Sequence, residues 1–447
     1  MQEERMTHQD VELLAIGAGP SNLALAVAID ELAPPELATN TLVIDRDETI
    51  SWQRGMLIPG ALSQVSFLKD LVTLRNPQSR FSFINYLHEN GKLNDFVNMG
   101  SFLPFREEIA DYFRWAAESL TQVRLECGRE CVGIEPQRAT DGDVTRWLVH
   151  LADGSTIGCR FLVIGAGRDP LVPEVFADLP PERMIHSTRY LQRIREVRPD
   201  QARRVAVVGG AQSAAEMFDA VQRDLPDCQP TMIMRSIGLS GYESSKFTNE
   251  LYFPSFVDDF FDALPAARDQ ILQEMHRTNY AGLAPGTIDG LYRQLYLDRL
   301  HGSGRLGMIT MVEVTGAEYV NDEVVLQLTD RKNGAVREFA TDLVLLGTGF
   351  VRQMPLIIQE LGSSLGLDRI RVTRRYRLVQ DRTTTAACYL QGVNEATHGI
   401  ADSLLSVLAV RAHEIVTDIF AHRADKDPAD AAFGDASLGA VAVSRPW

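Results

Sequence analysis

The chain spells one supersecondary unit twice, and that repetition constrains its fold more than any other feature. VELLAIG, residues 11–17, is a short apolar run of the kind that forms a buried parallel strand. It leads through Gly17-Ala18-Gly19-Pro20-Ser21-Asn22 into a helical stretch, LALAVAIDELA, and TLVIDR (41–46) follows as the next strand. The same grammar returns as RRVAVVGG (203–210), AQSAAEMFDAVQRDL and TMIMRS (231–236). Each β-turn-α-β unit is the nucleotide-binding half of a doubly wound sheet. Each also acquires a hairpin and a final buried strand, closing on Gly165-Ala166-Gly167 in one case and Gly347-Thr348-Gly349 in the other. The pattern predicts an α/β fold with two Rossmann-like dinucleotide-binding domains.

Between Gly241 and His301 the strand signals vanish, and the sequence reads as helical and aromatic-rich. A small helical insertion, carrying the substrate-binding region, is expected over 243–301. The first domain is then assembled from 8–189 and 347–425, the second from 190–242 and 302–346, with a flexible tail over 426–447. A length of 447 residues is ample for such domains. The net charge of −16 argues against nucleic-acid and anionic-membrane partners. No apolar run is long enough to span a bilayer. The polar, acidic start MQEERMTHQD is unlike a signal peptide, which points to a cytoplasmic protein. Cys127 and Cys131 are four apart, a spacing that fits neither a redox C-x-x-C nor a zinc pair, so no metal site is expected.

The two turns are chemically unequal. In Gly17-x-Gly19-x-x-Asn22, Gly17 permits the tight turn, and Gly19 lets backbone approach a pyrophosphate at the helix N-terminus. Pro20 and Ser21 complete the loop, and Asn22 stands where a third glycine is usual. Asp45, at the end of the next strand, can accept hydrogen bonds from ribose hydroxyls, as suits FAD. The second turn, Gly209-Gly210-Ala211-Gln212-Ser213, has Ala211 for the middle glycine, with Ser213 adding a hydroxyl donor. Arg235 ends its following strand, where a base suits the 2′-phosphate of NADPH.

Two dinucleotide domains fit disulfide reductases, ferredoxin reductases and flavin monooxygenases; the absence of C-x-x-C removes the first. Further segments are more specific: GAGPSNLALA (17–26), SWQRGMLIPG (51–60), QVSFLKDLVTLRNPQSRFSFINYLHENGKL (64–93), GGAQSAAE (209–216) and NEATHGIADSLLSVLAVRA (394–412). With Asn249 and the Asn279-Tyr280 pair, this ordered set resembles the siderophore-type N-hydroxylating flavin monooxygenases, that is, L-ornithine N5-monooxygenases and their L-lysine N6 relatives. The sequence departs from the family at Gln53, at Ser63 and at Phe350, where the familiar ATGY motif ends in Phe.

The resemblance implies roles. Gln64 lies beside the isoalloxazine, and Trp52 falls among the FAD contacts. Lys69 holds the substrate carboxylate. Asn249 and Asn279 contact the amino acid, Asn279 also near the nicotinamide, and Ser406 sits near the side-chain amine. Gly209, Gln212, Ser213, Arg235 and Arg189 contact NADPH, and Tyr280 packs on the cofactor. Asn279, Ser406 and Gln64 form the implied catalytic set. The implied chemistry is reduction of FAD by NADPH, reaction with O2 to a C4a-hydroperoxyflavin, and oxygen transfer to the amine. N5-hydroxy-L-ornithine for a hydroxamate siderophore is the implied product, from a homodimer or homotetramer. L-lysine or a diamine such as putrescine or cadaverine are the alternative substrates, and an NADPH reductase or oxidase is the alternative class.

The residue chemistry agrees with this. A lysine among Phe67, Leu68 and Leu71 is costly to bury without an anionic partner, and a substrate carboxylate supplies one. The reacting amine must be neutral, so Asn279 and Ser406, not carboxylates, are expected beside it. Cys388 and His398 read as packing and backbone-bonded residues and not as a nucleophile and base.

Overall fold

The computed structural model describes residues 8–243, 245–280, 282–380 and 385–424; the tail assigned to 426–447 lies outside them. In chain order the strands are β1 (His8–Ile16), β2 (Thr41–Ile44), β3 (Arg124–Glu126), β4 (Cys131–Arg138), β5 (Val144–Leu151), β6 (Thr156–Ile164), β7 (Met184–His186), β8 (Arg204–Val208), β9 (Gln229–Ile233), β10 (Gly307–Ile309), β11 (Val312–Val320), β12 (Glu323–Asp330), β13 (Val336–Thr341), β14 (Leu343–Leu346) and β15 (Ala387–Leu390).

The two repeats each build a sheet around a parallel core. The first is seven-stranded, in the order β3-β2-β1-β6-β5-β4, with β15 also beside β6. The second is five-stranded, in the order β10-β9-β8-β14-β7. Strands β2 and β14 are buried at every position, so their apolar runs have no polar face, as expected where both faces of a parallel sheet are covered.

The two hairpins differ although their sequences look alike. β5 pairs antiparallel with β6, so the first hairpin extends the main sheet. β11, β12 and β13 form a separate three-stranded sheet. Its Val324, Leu326 and Leu328 pack on Ala206, Val344 and Leu346 of the second sheet.

Two of the expected boundaries are corrected. β7 pairs with β14, so the first domain does not run to residue 189. The chain crosses instead at a paired double strand, where Leu171 N donates to Gly349 O (2.9 Å) and Val351 N to Asp169 O (2.8 Å). The helix Pro285–Leu300 was expected in the insertion, yet its Leu291 is 2% exposed in the second domain's core. Its apolar anchor faces the helix Gln212–Asp224, reinforced by a 2.9 Å hydrogen bond from Gln222 to Gln294. The remaining insertion, helices Lys246–Glu250, Phe256–Asp262 and Pro265–Asn279, leaves and rejoins the domain at one point. There Leu283 N donates to Ser240 O (2.9 Å) and Tyr242 N to Leu283 O (3.1 Å). Tyr252, Val257 and Met275 of the insertion make a small core with Ile400, Ala401 and Val407. That core seats the insertion on the C-terminal segment of the first domain.

Candidate functional site

The first turn is built for close backbone approach. Gly17 has φ +91°, and a Cβ there would lie 2.7 Å from Gly165 O. At Gly19 a Cβ would meet nothing within 4 Å, so the space over the helix Pro20–Leu32 is open. Asp45, Thr49, Trp52 and Phe113 line this crevice beside Gly19 and Pro20. Asp45 accepts from Ala18 N (2.5 Å) and Asp47 N (2.8 Å), which fixes its carboxylate at the crevice edge. Trp52 stands edge-on to Phe113, with centroids 5.6 Å apart. An open N-terminal turn beside a fixed acid and an aromatic wall fits the diphosphate and ribose of a dinucleotide.

Asn22 has another task than contacting a ligand. It is fully buried, donates to Ile16 O (2.9 Å) and Gly17 O (2.7 Å), and accepts from Gln391 (2.8 Å). Its amide is therefore spent on holding the turn. Gly165 makes room for it, since a Cβ at that position would sit 2.7 Å from Asn22 Nδ2. Gln391 in turn accepts from Arg411 Nε (3.0 Å), and Arg411 Nη2 donates to Ser21 Oγ (2.8 Å). Arg411 is 1% exposed and pairs with Asp402 at 2.9 Å. This buried network ties the first turn to the 394–412 segment. A lone arginine in the apolar run LLSVLAVRAHEIV was the available signal for it, and it was missed.

The second turn repeats the arrangement with smaller groups. A Cβ at Gly347 would lie 2.6 Å from Ala214 Cβ, and one at Gly209 would lie 2.5 Å from Gly347 O. Ala214 thus packs on Gly347 as Asn22 packs on Gly165. Ser213 is half-buried in the first turn of the helix Gln212–Asp224. Strand register corrects one equivalence. Ile44 pairs with Ile16 and Ile233 with Val208, so the counterpart of Asp45 is Met234, which is buried. Arg235 follows it, with its side chain 74% exposed and Glu313 4.0 Å away, leaving the guanidinium available to an anion. Arg189 is exposed at the end of the 3₁₀ turn Ser187–Arg189. Gln212 is corrected. Its Nε2 donates to Glu216 (2.9 Å) and Thr287 (3.1 Å), and its Oε1 accepts from Ala284 N (2.9 Å), so the side chain is committed to the protein.

Lys69 lies between the first domain and the insertion. The turn that presents it is fixed by buried Asp70, which accepts from Val72 N (3.0 Å), Thr73 N (2.6 Å) and Phe83 N (2.8 Å). Lys69 Nζ donates to Ser406 Oγ (3.2 Å) and stands 4.7 Å from the Phe253 ring centroid. Burial lowers the ammonium pKa from its ordinary value, and no carboxylate pairs with it among the described residues. Ser406 was expected near the side-chain amine of a substrate whose carboxylate Lys69 holds. The structure adds that the two side chains are in direct contact and form one cluster.

The other expected residues are more dispersed. Asn249 is exposed on the helix Lys246–Glu250, just ahead of Phe253. Asn279 is half-buried and ends the helix Pro265–Asn279, next to Thr278, whose hydroxyl bonds Tyr252. Gln64 is exposed on the loop before Lys69. The Tyr280 hydroxyl bonds Glu395 and lies 3.1 Å from Ser403 Oγ, giving it protein partners and not only a cofactor to pack on. The expected reading of His398 and Cys388 stands. His398 Nε2 lies 3.1 Å from Arg374 O, its ring stacks on Tyr376, and Cys388 is wholly buried with its thiol pKa raised by that burial.

Comparison with known proteins agrees with the geometry. The sequence model of the family described as L-lysine 6-monooxygenase/L-ornithine 5-monooxygenase matches residues 9–352. An L-ornithine N(5)-oxygenase of Arthrobotrys oligospora is 40% identical over 92% of this chain and 88% of its own. The ornithine hydroxylase structure from Pseudomonas aeruginosa superposes with a TM-score of 0.86 at 35% identity, covering 93% of this chain and 100% of that one. The ornithine N-hydroxylase of Kutzneria sp. 744, described with reduced FAD, NADP+ and L-ornithine, gives 0.85 at 35% identity over 93% and 100%. With two dinucleotide turns, a lysine that has no carboxylate partner among the described residues, and matches over nearly its whole length, the chain belongs to the L-lysine 6-monooxygenase/L-ornithine 5-monooxygenase family.

Proposed function

We propose that the protein is an FAD- and NADPH-dependent L-ornithine N5-monooxygenase, converting L-ornithine, O2, NADPH and a proton to N5-hydroxy-L-ornithine, NADP+ and water. The observation that carries this reading is the half-buried Lys69 ammonium, held against Ser406 and Phe253 with no carboxylate partner among the described residues. A substrate carboxylate relieves the desolvation of that ammonium and restores its charge. Ornithine is preferred because the relatives at 35–40% identity carry that name.

In this reading Gly17, Gly19, Pro20 and Ser21 would hold the FAD diphosphate, Asp45 would accept from its ribose hydroxyls, and Trp52 would line the crevice. Gly209 and Ser213 would hold NADPH at the five-stranded sheet, and the exposed Arg235 and Arg189 would meet its phosphates. Once bound, FAD supplies the capacity to take a hydride from NADPH and to activate O2 for transfer of one oxygen atom. The chain's own residues bind and orient. Lys69 and Ser406 hold the amino acid by its carboxylate end. Asn249, Asn279 and Gln64 present uncharged donors and acceptors toward the remainder. The amine must lose its proton: from a lysine-like pKa, reaching the neutral form at pH 7 costs about 4.6 kcal/mol. Neutral amides leave that form free to react, whereas a carboxylate would hold the proton on.

The product's class suggests supply of a hydroxamate siderophore in the cytoplasm. No helix among the described residues is long and apolar enough to cross a membrane. Tyr292, Tyr296 and Leu300 recur at four-residue spacing and are all exposed on the helix Pro285–Leu300, which supports a homodimer or homotetramer, tested by sedimentation.

The deciding experiment mixes the yellow holoprotein with NADPH and ornithine, lysine, putrescine or no amine, measuring hydroxylamine alongside peroxide. Hydroxylated ornithine well above the other arms is expected. Peroxide alone with every amine overturns the monooxygenase reading. Equal turnover of lysine overturns the ornithine preference, since one methylene is worth only about 1–3 kcal/mol in a pocket.

A further inference from the structure

The GGAQSAAE segment contains two residues that do not face the second nucleotide turn. Glu216, 9% exposed, reaches out of the second domain to Arg106 of the first, 6% exposed. The pair is bidentate: Arg106 Nη1 to Glu216 Oε2 at 2.9 Å and Nη2 to Oε1 at 2.8 Å. Arg106 Nη1 also donates to Met56 O (2.6 Å). On the other side, Gln212 donates to Glu216 and clasps Ala284 N and Thr287 Oγ1. One polar chain thus runs from the 54–58 loop of the first domain, through Arg106, Glu216 and Gln212, to the start of the helix Pro285–Leu300.

Four further observations say that this chain holds the domains together and is not local decoration. Arg106 opens the helix Arg106–Glu118, where a cation opposes the helix dipole, so local helix stability does not explain it. Met56 and Ile58 of the first-domain loop are buried in the core of the second. A Cβ at Gly55 would lie 2.2 Å from Thr188 C, so that loop abuts the second domain backbone to backbone. The covalent crossings at 169–171 and 349–351 are a short paired double strand.

We propose that Arg106 and Glu216 are positioning residues, a buried latch that fixes the second nucleotide turn at one angle and distance from the first, with Gln212 extending that hold to the helix Pro285–Leu300. This rests on the reading that the second turn carries NADPH. Hydride transfer needs its two carriers within a narrow distance, and a misplacement of about 1 Å can cost on the order of 10²-fold in rate. The latch adds a bidentate polar constraint to the double-strand crossing and to the apolar contacts between the domains.

Removing one partner would strand a buried charge, so the main variant replaces both: Arg106→Leu with Glu216→Leu. Glu216→Gln is the isosteric companion: it keeps size and one acceptor for Arg106 but loses the bidentate charge pair, and it decides the matter if the double variant fails to fold. Two readouts are taken on FAD-loaded, folded protein. With NADPH saturating and O2 excluded, flavin reduction should fall by on the order of tenfold or more, while NADPH affinity stays within about threefold. Without any NADPH, amide hydrogen exchange should rise at Ala284, whose N–H is held by Gln212, together with residues 56–58. Wild-type flavin reduction in the variants, or unchanged exchange at Ala284, overturns the latch. Should the wild-type protein itself fail to oxidise NADPH, the functional reading falls, and the exchange measurement still judges the latch.

Discussion

At the scale of single residues, the decisive fact is that identical-looking motif positions have different employers. Asn22 sits inside the first fingerprint, yet its buried amide serves Ile16, Gly17 and Gln391. Asn22→Ala should therefore cost about 2–4 kcal/mol, since it removes three buried hydrogen bonds and leaves the Gln391 amide without its acceptor, and FAD should be lost on dialysis. Retention of full FAD with unchanged stability would remove this role. Lys69→Ala should raise the KM for ornithine at least tenfold while anaerobic flavin reduction stays within about twofold, because the ammonium anchors substrate and not NADPH. An unchanged KM rules out the anchor. The lysine pKa is lowered by burial, so the charged form is lost at a lower pH than in an ordinary lysine. The KM should accordingly rise with increasing pH, and Lys69→Arg should push that rise to higher pH. The sequence alone named Lys69 and Ser406 but not that their side chains touch. Side-chain contact across 337 positions is not written in spacing.

At the scale of elements, each nucleotide turn depends on a glycine far away in the chain. Gly165 admits Asn22, and Gly347 admits Ala214, at approaches that a Cβ would close. Gly347→Ala should destabilise by about 1–3 kcal/mol through overpacking and weaken NADPH binding while FAD binding is kept, as titration of each nucleotide would show. Equal loss of both would contradict the pairing. Strand and helix identities in the two repeats were legible because apolar runs, turn glycines and helix-forming stretches agree locally. The fate of the hairpins was not. β5 continues into the main sheet and β13 does not, a choice made by which neighbours each strand finds. The helix Pro285–Leu300 likewise reads as insertion by sequence position, but Leu291 assigns it to the second core.

At the scale of the whole molecule, buried polar groups stitch separate segments, and one of them should make stability pH-dependent. His398 is 1% exposed, and burial lowers its pKa to about 4 from 6.5. The unfolded chain then binds the proton more readily. This group's stabilisation is complete above its unfolded pKa and is lost as the pH falls from there through about 4. It amounts to about 3 kcal/mol. The drop in urea midpoint between pH 7 and pH 4.5 should shrink in His398→Gln; an undiminished drop would assign the acid sensitivity elsewhere. By itself the sequence determined the two β-turn-α-β units, the unequal chemistry of their turns, the helical excursion and the family, because periodicity and short motifs are local properties. Only the tertiary structure decided that Asn22 and Gln212 are struts, that Met234 is the register partner of Asp45, that β7 crosses to the second domain and that Arg106 meets Glu216. Each of those depends on contacts between residues distant in the chain, and no local pattern encodes which distant partner a buried polar group will find.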